Sequence, residues 1–358
     1  MQTSRSLFAL ALTLAATAAA VPAAQAAAPA PALRHVLNVP ARHPAQSSRP
    51  NATATSGYLA AFVGTNGILY TYSPTAGLVD LNDAVAAGTS PAVAASPDGG
   101  YEIAFNGPNG YLYTYGSTGL VNTFQTIQAG TSPSITGLYG AGGGYQIAYH
   151  STDGLLWVYG AAGDTNTTEG MLAGASPAIA DSPLGGYLVD FVASTNLLYT
   201  WSSAGHYFNT NQGLWAGTSP AITALPSPVN AYEFTFEART GSKLIMYGSA
   251  GNVNTGLTMK AGTNSSITTS PTGGVEMAFQ ASNGDLETYS NSTGETYPGL
   301  SMAPGASPAI TTIASAAGGG YEIAYETSAG DFATYGIGSE GSVNTLQGVK
   351  AGTNPSIA

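Results

Sequence analysis

Between residue 57 and the last residue of the chain one pattern is written seven times, and this repetition limits the fold more than any other feature. A segment like Ala-Gly-Thr-Ser-Pro ends at Pro91, Pro133, Pro177, Pro220, Ser265, Pro308 and Pro355, at intervals of 42, 44, 43, 45, 43 and 47 residues. A second landmark, Gly-Tyr-x-x-Ala-Phe, has its leading residue at Tyr58, Tyr101, Tyr145, Tyr187, Tyr232, Val275 and Tyr321. The third, of the form Leu-x-Thr-Tyr, ends at Tyr72, Tyr115, Tyr159, Trp201, Tyr247, Tyr289 and Tyr335. A chain so written builds one supersecondary unit again and again, and each unit buries its apolar face against its neighbours.

Within a unit the period is two. Tyr101, Ile103 and Phe105 fall on one side of an extended segment, and Glu102 and Ala104 on the other. Asn-Gly, Asp-Gly and similar pairs (Asn66-Gly67, Asn109-Gly110, Asp153-Gly154, Asn283-Gly284, Ala329-Gly330) mark tight turns, with Thr240-Gly241-Ser242 in the fifth unit. Each unit therefore predicts four short strands, the first small (Ser90 to Ala94), the next two aromatic and the last a weaker Val-Asn-Thr segment. Four strands in about 44 residues is the size of a propeller blade. The expectation is all-β: a seven-bladed β-propeller over residues 51–358 with the small strand at the central channel. Helical solenoids are excluded, because they need apolar stripes of period 3.6 and helix-forming residues.

The ends of the repeat region interlock. The region opens at Gly57 on a second strand, and the chain stops at Asn354 to Ala358 on a first strand with no blade after it. The last segment is expected to complete the first blade, so that no sheet edge is left open. The chain has no Cys, so ring closure and packing must supply the stability that disulfides give many exported proteins.

Ahead of the repeats, Arg5, an apolar run from Leu7 to Val21, and Ala24-Gln25-Ala26 have the form of a secretory signal peptide cleaved after Ala26. Residues 27–50 are a Pro- and Ala-rich leader or linker. Export to the extracellular space is the expectation. No Lys or Arg occurs from Asn51 through Ala238, and residues 51–358 hold four basic residues against nineteen acidic ones. That balance argues against nucleic acid and anionic membranes, which need clustered cations.

The repeat grammar Ser-Pro-Ala-Val-Ala, Gly-Tyr-Glu-Ile-Ala-Phe, Tyr-Leu-Tyr-Thr-Tyr resembles that of bacterial seven-bladed propeller lectins of the Photorhabdus type and, more loosely, the tachylectin-like propellers. The resemblance implies a non-catalytic carbohydrate-binding protein with shallow glycan sites between blades and no cofactor. Secreted subunits of toxin assemblies share the general character, which keeps a protein-interaction scaffold as the alternative.

Sugars need a flat apolar face and polar groups matched to hydroxyls. Candidate residues are those where one unit departs from its siblings. Trp215 stands where other units place Ala86, Gln128, Leu172, Lys260, Ala303 and Lys350, a slot expected to face solvent. His206 and Tyr207 lie in the same unit. Trp157 aligns with Tyr70, Tyr113 and Tyr199, and Trp201 ends the third strand of its unit; the aromatic series also has a plain role in blade packing. Glu102, Glu233, Glu276 and Glu322 share a slot with Gln146, Leu59 and Leu188, and the two Leu residues weigh toward a structural role. Asn122, Asn254 and Asn344 read as loop formers. A propeller glycosidase is disfavoured, since no unit gains a carboxylate cluster that its siblings lack.

Overall fold

The structure is a computed structural model. It describes residues 57–97, 99–139, 143–182, 185–225, 229, 231–249, 251–270, 273–313, 319–337 and 341–358. The expected signal peptide, its expected cleavage site and the leader lie outside these residues. Residues 50–358 form one compact unit.

Seven four-stranded antiparallel sheets make up the described structure, six with their strands in chain order from the inside out and the first with the chain's last strand innermost, and the fold is an all-β, seven-bladed propeller. Blade two is representative: an inner strand Ala92–Ala95, a second Tyr101–Asn106, a third Tyr111–Gly116 and an outer strand Gly119–Thr126. Small inner strands suit the crowding at the channel. Alternation along the second strand then sends its two faces to two different neighbours. Ile103 and Phe105 pack with Leu69 and Leu81 of blade one, while Ala104 packs with Ile135, Ile147 and Tyr149 of blade three.

The ring closes as the interlocking ends require. The last strand, Ser356–Ile357, pairs with Ala60–Val63 as the inner strand of blade one, with Ile357 opposite Ala60 and Ser356 opposite Ala61. Across the same seam Phe62 of blade one stacks on Phe332 of blade seven, with ring centroids 4.2 Å apart and planes at 1°.

The Ser of Ala-Gly-Thr-Ser-Pro has a function that periodicity did not reveal. Ser90 N donates to Ser132 Oγ, Ser132 N to Ser176 Oγ, and Ser176 N to Ser219 Oγ. Ser219 N continues to Asn264 Oδ1, Asn264 N to Ser307 Oγ, Ser307 N to Asn354 Oδ1, and Asn354 N returns to Ser90 Oγ. Seven hydrogen bonds of 2.8–3.1 Å thus make a closed circuit around the channel, each joining one blade to the next. Asn replaces Ser twice because its side-chain oxygen accepts the same bond.

The outer strands are longer than the sequence suggested, reaching eight residues in blades one, two, five and six. A register shift bends all but that of blade four, where the outer strand is Tyr207–Asn209. The corresponding residue has a positive φ in every blade: Asn82, Phe124, Thr168, Asn211, Gly256, Gly299 and Leu346. In six blades the residue two before it accepts a hydrogen bond from the bent residue's N–H: Asp80, Asn122, Asn166, Asn209, Asn254 and Asn344. Those Asx turns are the loop-forming role expected of the Asn slot.

Candidate functional site

A groove runs between neighbouring blades beside each third strand, and the residue in one slot of that strand decides what the groove becomes. The slot holds Tyr70, Tyr113, Trp157, Tyr199, Ile245, Glu287 and Ala333 in blades one to seven.

In blade two the Tyr113 ring stacks on Phe105, 5.6 Å away at 20°, and its hydroxyl accepts from Asn109 Nδ2 (2.8 Å) and Asn122 Nδ2 (3.2 Å). Blade one repeats this with Tyr70 on Phe62 and Asn66 Nδ2 at 3.0 Å. In these two blades the ring packs closely enough to exclude a side chain at the companion residue: a Cβ at Gly64 or Gly107 would lie 2.5 or 2.4 Å from the tyrosine ring. In blade four Tyr199 packs by Phe191 and takes a bond from Asn209 Nδ2 at 3.0 Å. In blade three Trp157 Nε1 donates to Asp153 Oδ2 at 2.9 Å. In these blades the aromatic side chain occupies the groove and its polar tip is already partnered.

Blade five differs. Ile245 is shorter and has no polar tip, and a pocket of about 450 Å³ opens between blades four and five. Leu197, Ala238 and Ile245 form its apolar floor, with Phe236 itself buried, and Asn252, Asn254, Arg239 and Lys243 line its wall, with Gln212 contributed by blade four. Gln212 Oε1 accepts from Asn252 Nδ2 at 3.0 Å, tying the two blades together across the opening. Arg239 Nη2 donates to Asn196 O of blade four at 2.9 Å, and Lys243 Nζ to Gly256 O and Thr258 Oγ1 at 2.9 and 2.6 Å. Asn254 shows what the substitution frees. Its Oδ1 makes the usual Asx bond to Gly256 N, while its Nδ2, whose counterparts in blades two and four bond a tyrosine hydroxyl, has no protein partner among the described residues. The pocket is of ligand size and its lining is mostly polar, seven of its twelve residues being Asn, Gln, Thr, Arg or Lys, a wall suited to a ligand rich in hydroxyls.

The residues singled out from sequence fall in several places. Trp215 is half-buried on the link from blade four to blade five, where its N–H donates to Glu237 O at 2.9 Å. It lies two residues from the pocket-lining Gly213, toward the channel, and does not itself line the pocket. His206 and Tyr207 are exposed at the outer edge of blade four and also stay outside the pocket. Trp201 is buried against Tyr187 in the core between blades three and four. Tyr113, Trp157 and Tyr199 fill grooves as described. The carboxylate slot is interior: Glu102, Glu233, Glu276 and Glu322 are all buried. Gly116 and Gly248 stand opposite Glu102 and Glu233, where an added Cβ would strike the carboxyl group. Burial pushes the Glu102 and Glu276 carboxyls above the ordinary range, against the opposing pull of Thr114 on the first and of Ser290 and Ser270 on the second.

Arg239, Lys243 and Ile245 were missed by sequence reasoning, although the signal was present. Two of the four basic residues of the repeat region fall four positions from each other and beside the one Ile in an otherwise aromatic run of five blades.

No family model matches the chain, and no curated protein matches it. Among solved structures it is similar to the Aleuria aurantia lectin in complex with Fucalpha1-6GlcNAc, with a TM-score of 0.53 and 13% identity, over 74% of this chain and 96% of that one. It is similar to a mutant of AofleA from Arthrobotrys oligospora (TM-score 0.50, 12% identity, 75% and 88% covered). It is similar, too, to BBS1N in complex with ARL6DN (TM-score 0.52, 11% identity, 78% and 87% covered). The Aleuria protein is six-bladed, and the covered share of this chain is about the length of six of its seven blades. At such identities the likeness is one of fold.

Proposed function

We propose that this chain is an exported carbohydrate-binding protein whose working site is the groove between blades four and five. The observation that carries the reading is the replacement of a groove-filling aromatic by Ile245, beside which a pocket opens with Leu197, Ala238 and Ile245 as its apolar floor and the free amide of Asn254 on its wall. A pyranose ring meets such a floor with its C–H face and such a wall with its hydroxyls. The lectins among its structural neighbours support the reading at the level of fold, and the signal-like first 26 residues support export. The role is binding rather than hydrolysis, because the pocket lining contains no Asp or Glu, and glycoside hydrolysis uses a pair of carboxyl groups.

The test is a glycan array with the purified protein, followed by Ile245→Tyr on any hit. Blade four holds Ala193 beside Tyr199 just as blade five holds Ala238 beside Ile245, so a tyrosine fits there. The variant should fold normally and lose binding; retained binding would move the site elsewhere.

A second reading, a protein-binding scaffold, has its own observation. Phe124 and Leu346, at the outer-strand bends of blades two and seven, are 68% and 79% exposed. A stable protein partner recovered with the secreted chain, together with an empty glycan array, would favour it.

A further inference from the structure

We infer that the groove between blades four and five takes a saccharide carrying a single negative charge, as a carboxylate or a sulfate ester. This rests on the carbohydrate-binding reading of the same groove and adds the chemical class of its ligand. The first ground is where the charge lies. Residues 51–358 contain Arg239, Lys243, Lys260 and Lys350 as their whole stock of Lys and Arg, and two of the four line this one pocket.

The second ground is that neither charge is neutralised. Among the described residues both cations bond to neutral oxygens, Arg239 to Asn196 O and Lys243 to Gly256 O and Thr258 Oγ1, and neither meets a carboxylate. Those bonds hold the two heads in place without cancelling them. Arg239 spends one of its five N–H donors on Asn196, and its guanidinium fork matches a carboxylate or sulfate edge. No acidic residue lines the pocket to compete for them.

The third ground sets the number of charges. A pocket of about 450 Å³ accommodates one or two sugar rings. Beyond it the molecule is acidic, with nineteen acidic residues against four basic ones over residues 51–358. A polyanionic chain long enough to leave the pocket meets a molecule of net negative charge, whereas a short ligand with one charge meets Arg239 and Lys243. Salt at physiological strength screens exposed charges beyond about 8 Å, so it weakens the distant repulsion more than the contact pair.

The experiment compares glycans that differ only in charge: a terminal glucuronide with its methyl ester, and a glucoside 6-sulfate with the glucoside, each titrated into the purified protein alongside an array of neutral and acidic glycans. The acid should bind at least about tenfold more tightly than its uncharged twin, the size of one charge-assisted hydrogen bond. Arg239→Gln and Lys243→Gln should each shrink that ratio toward one, and Arg239→Lys, which keeps the charge, should restore part of it. Ile245→Tyr should abolish binding of both twins. The two charged arms tell a carboxylate ligand from a sulfate one. Equal binding of charged and uncharged twins overturns the inference and leaves the carbohydrate reading standing. An array with no acidic and no neutral hit overturns the carbohydrate reading itself.

Discussion

The grooves of blade two and blade five begin from the same repeat and end as opposites. In blade two Tyr113 lies on Phe105 with its hydroxyl held by two Asn amides; in blade five Ile245 brings neither ring nor hydroxyl, a pocket opens beside it, and one Asn amide is left unclaimed among the described residues. One side chain decides between a sealed joint and a pocket. In a repeat protein the shared residues build the ring, and a site arises where one unit withholds what its siblings supply. The joint between blades four and five collects several such departures: Asp190 where five blades have Ala, Trp215, Arg239, Lys243 and Ile245.

Both grooves depend on the ring, so the largest effect should come from opening it. Deleting Thr353 to Ala358 removes the inner strand of blade one, breaks the hydrogen-bond circuit at Asn354 on both sides, and strips Ser356 Oγ from Val93 N. The expected outcome is a strongly lowered melting temperature with loss of both grooves; an unchanged melting curve would mean that the seam is not what closes the propeller.

The comparison is broken most directly by exchanging the deciding residues. Ile245→Tyr should reduce glycan binding at least about tenfold, since a single well-placed contact is worth that much. The reciprocal Tyr113→Ile should open blade two, free Asn122 Nδ2, and cost stability by about 1–3 kcal/mol through lost packing and hydrogen bonds. It should not create an acid-binding site, because no Lys or Arg occurs anywhere from Asn51 to Ala238. Binding stoichiometry measured by titration should be near one per chain in the unaltered protein. Several equivalent sites would show that grooves with Tyr or Trp are not sealed.

The fold was legible because repetition multiplies weak signals: seven copies of a strand pattern, together with interlocking ends, leave little besides a closed ring. The Asn slot was legible too, since its Asx bond is local. The site was harder for a physical reason. Sequence comparison of repeats shows which residue departs but not what the departure empties, and the eye goes to an added Trp215 before it goes to a missing ring at Ile245. The Ser circuit stayed hidden because its bonds join residues 42 to 47 apart, with a last one spanning 264, and no local pattern encodes them.

A smaller effect sharpens the account of blade four. Asp190 is fully buried, pairs in register with Ala178 and Thr200, and neither of its carboxyl oxygens has a hydrogen-bond partner among the described residues. Burial holds its carboxyl well above the ordinary range. Ala occupies the slot in five other blades, so Asp190→Ala should stabilise the protein by about 1–3 kcal/mol, the cost of an unpaired buried polar group. Asp190→Asn should gain much less, because an amide in the same place still lacks partners. Chemical denaturation of the two variants distinguishes them, and destabilisation by Ala would show that the carboxyl is held by something the interface needs.

The third kind of groove residue, Glu287 of blade six, makes the smallest prediction and gives it a sign. Burial first, and then the Glu295 and Asp285 carboxylates, push Glu287 up to about 7, and burial raises Glu326 of blade seven to about 7 as well. An unfolded Glu titrates near about 4.3, so between that value and about 7 the folded chain holds more protons than the unfolded one. Stability from these groups is therefore fully present below the unfolded value and is lost as pH rises through about 7, the reverse of ordinary acid denaturation. Calorimetry should show the melting temperature falling by roughly a few degrees from the acid to the alkaline side of this window. Glu287→Gln should flatten the slope without touching binding at blade five. A melting temperature that rises with pH across the window would mean that the carboxylates of blade six are held ionised by partners, and that its groove resembles the cationic pocket of blade five rather than opposing it.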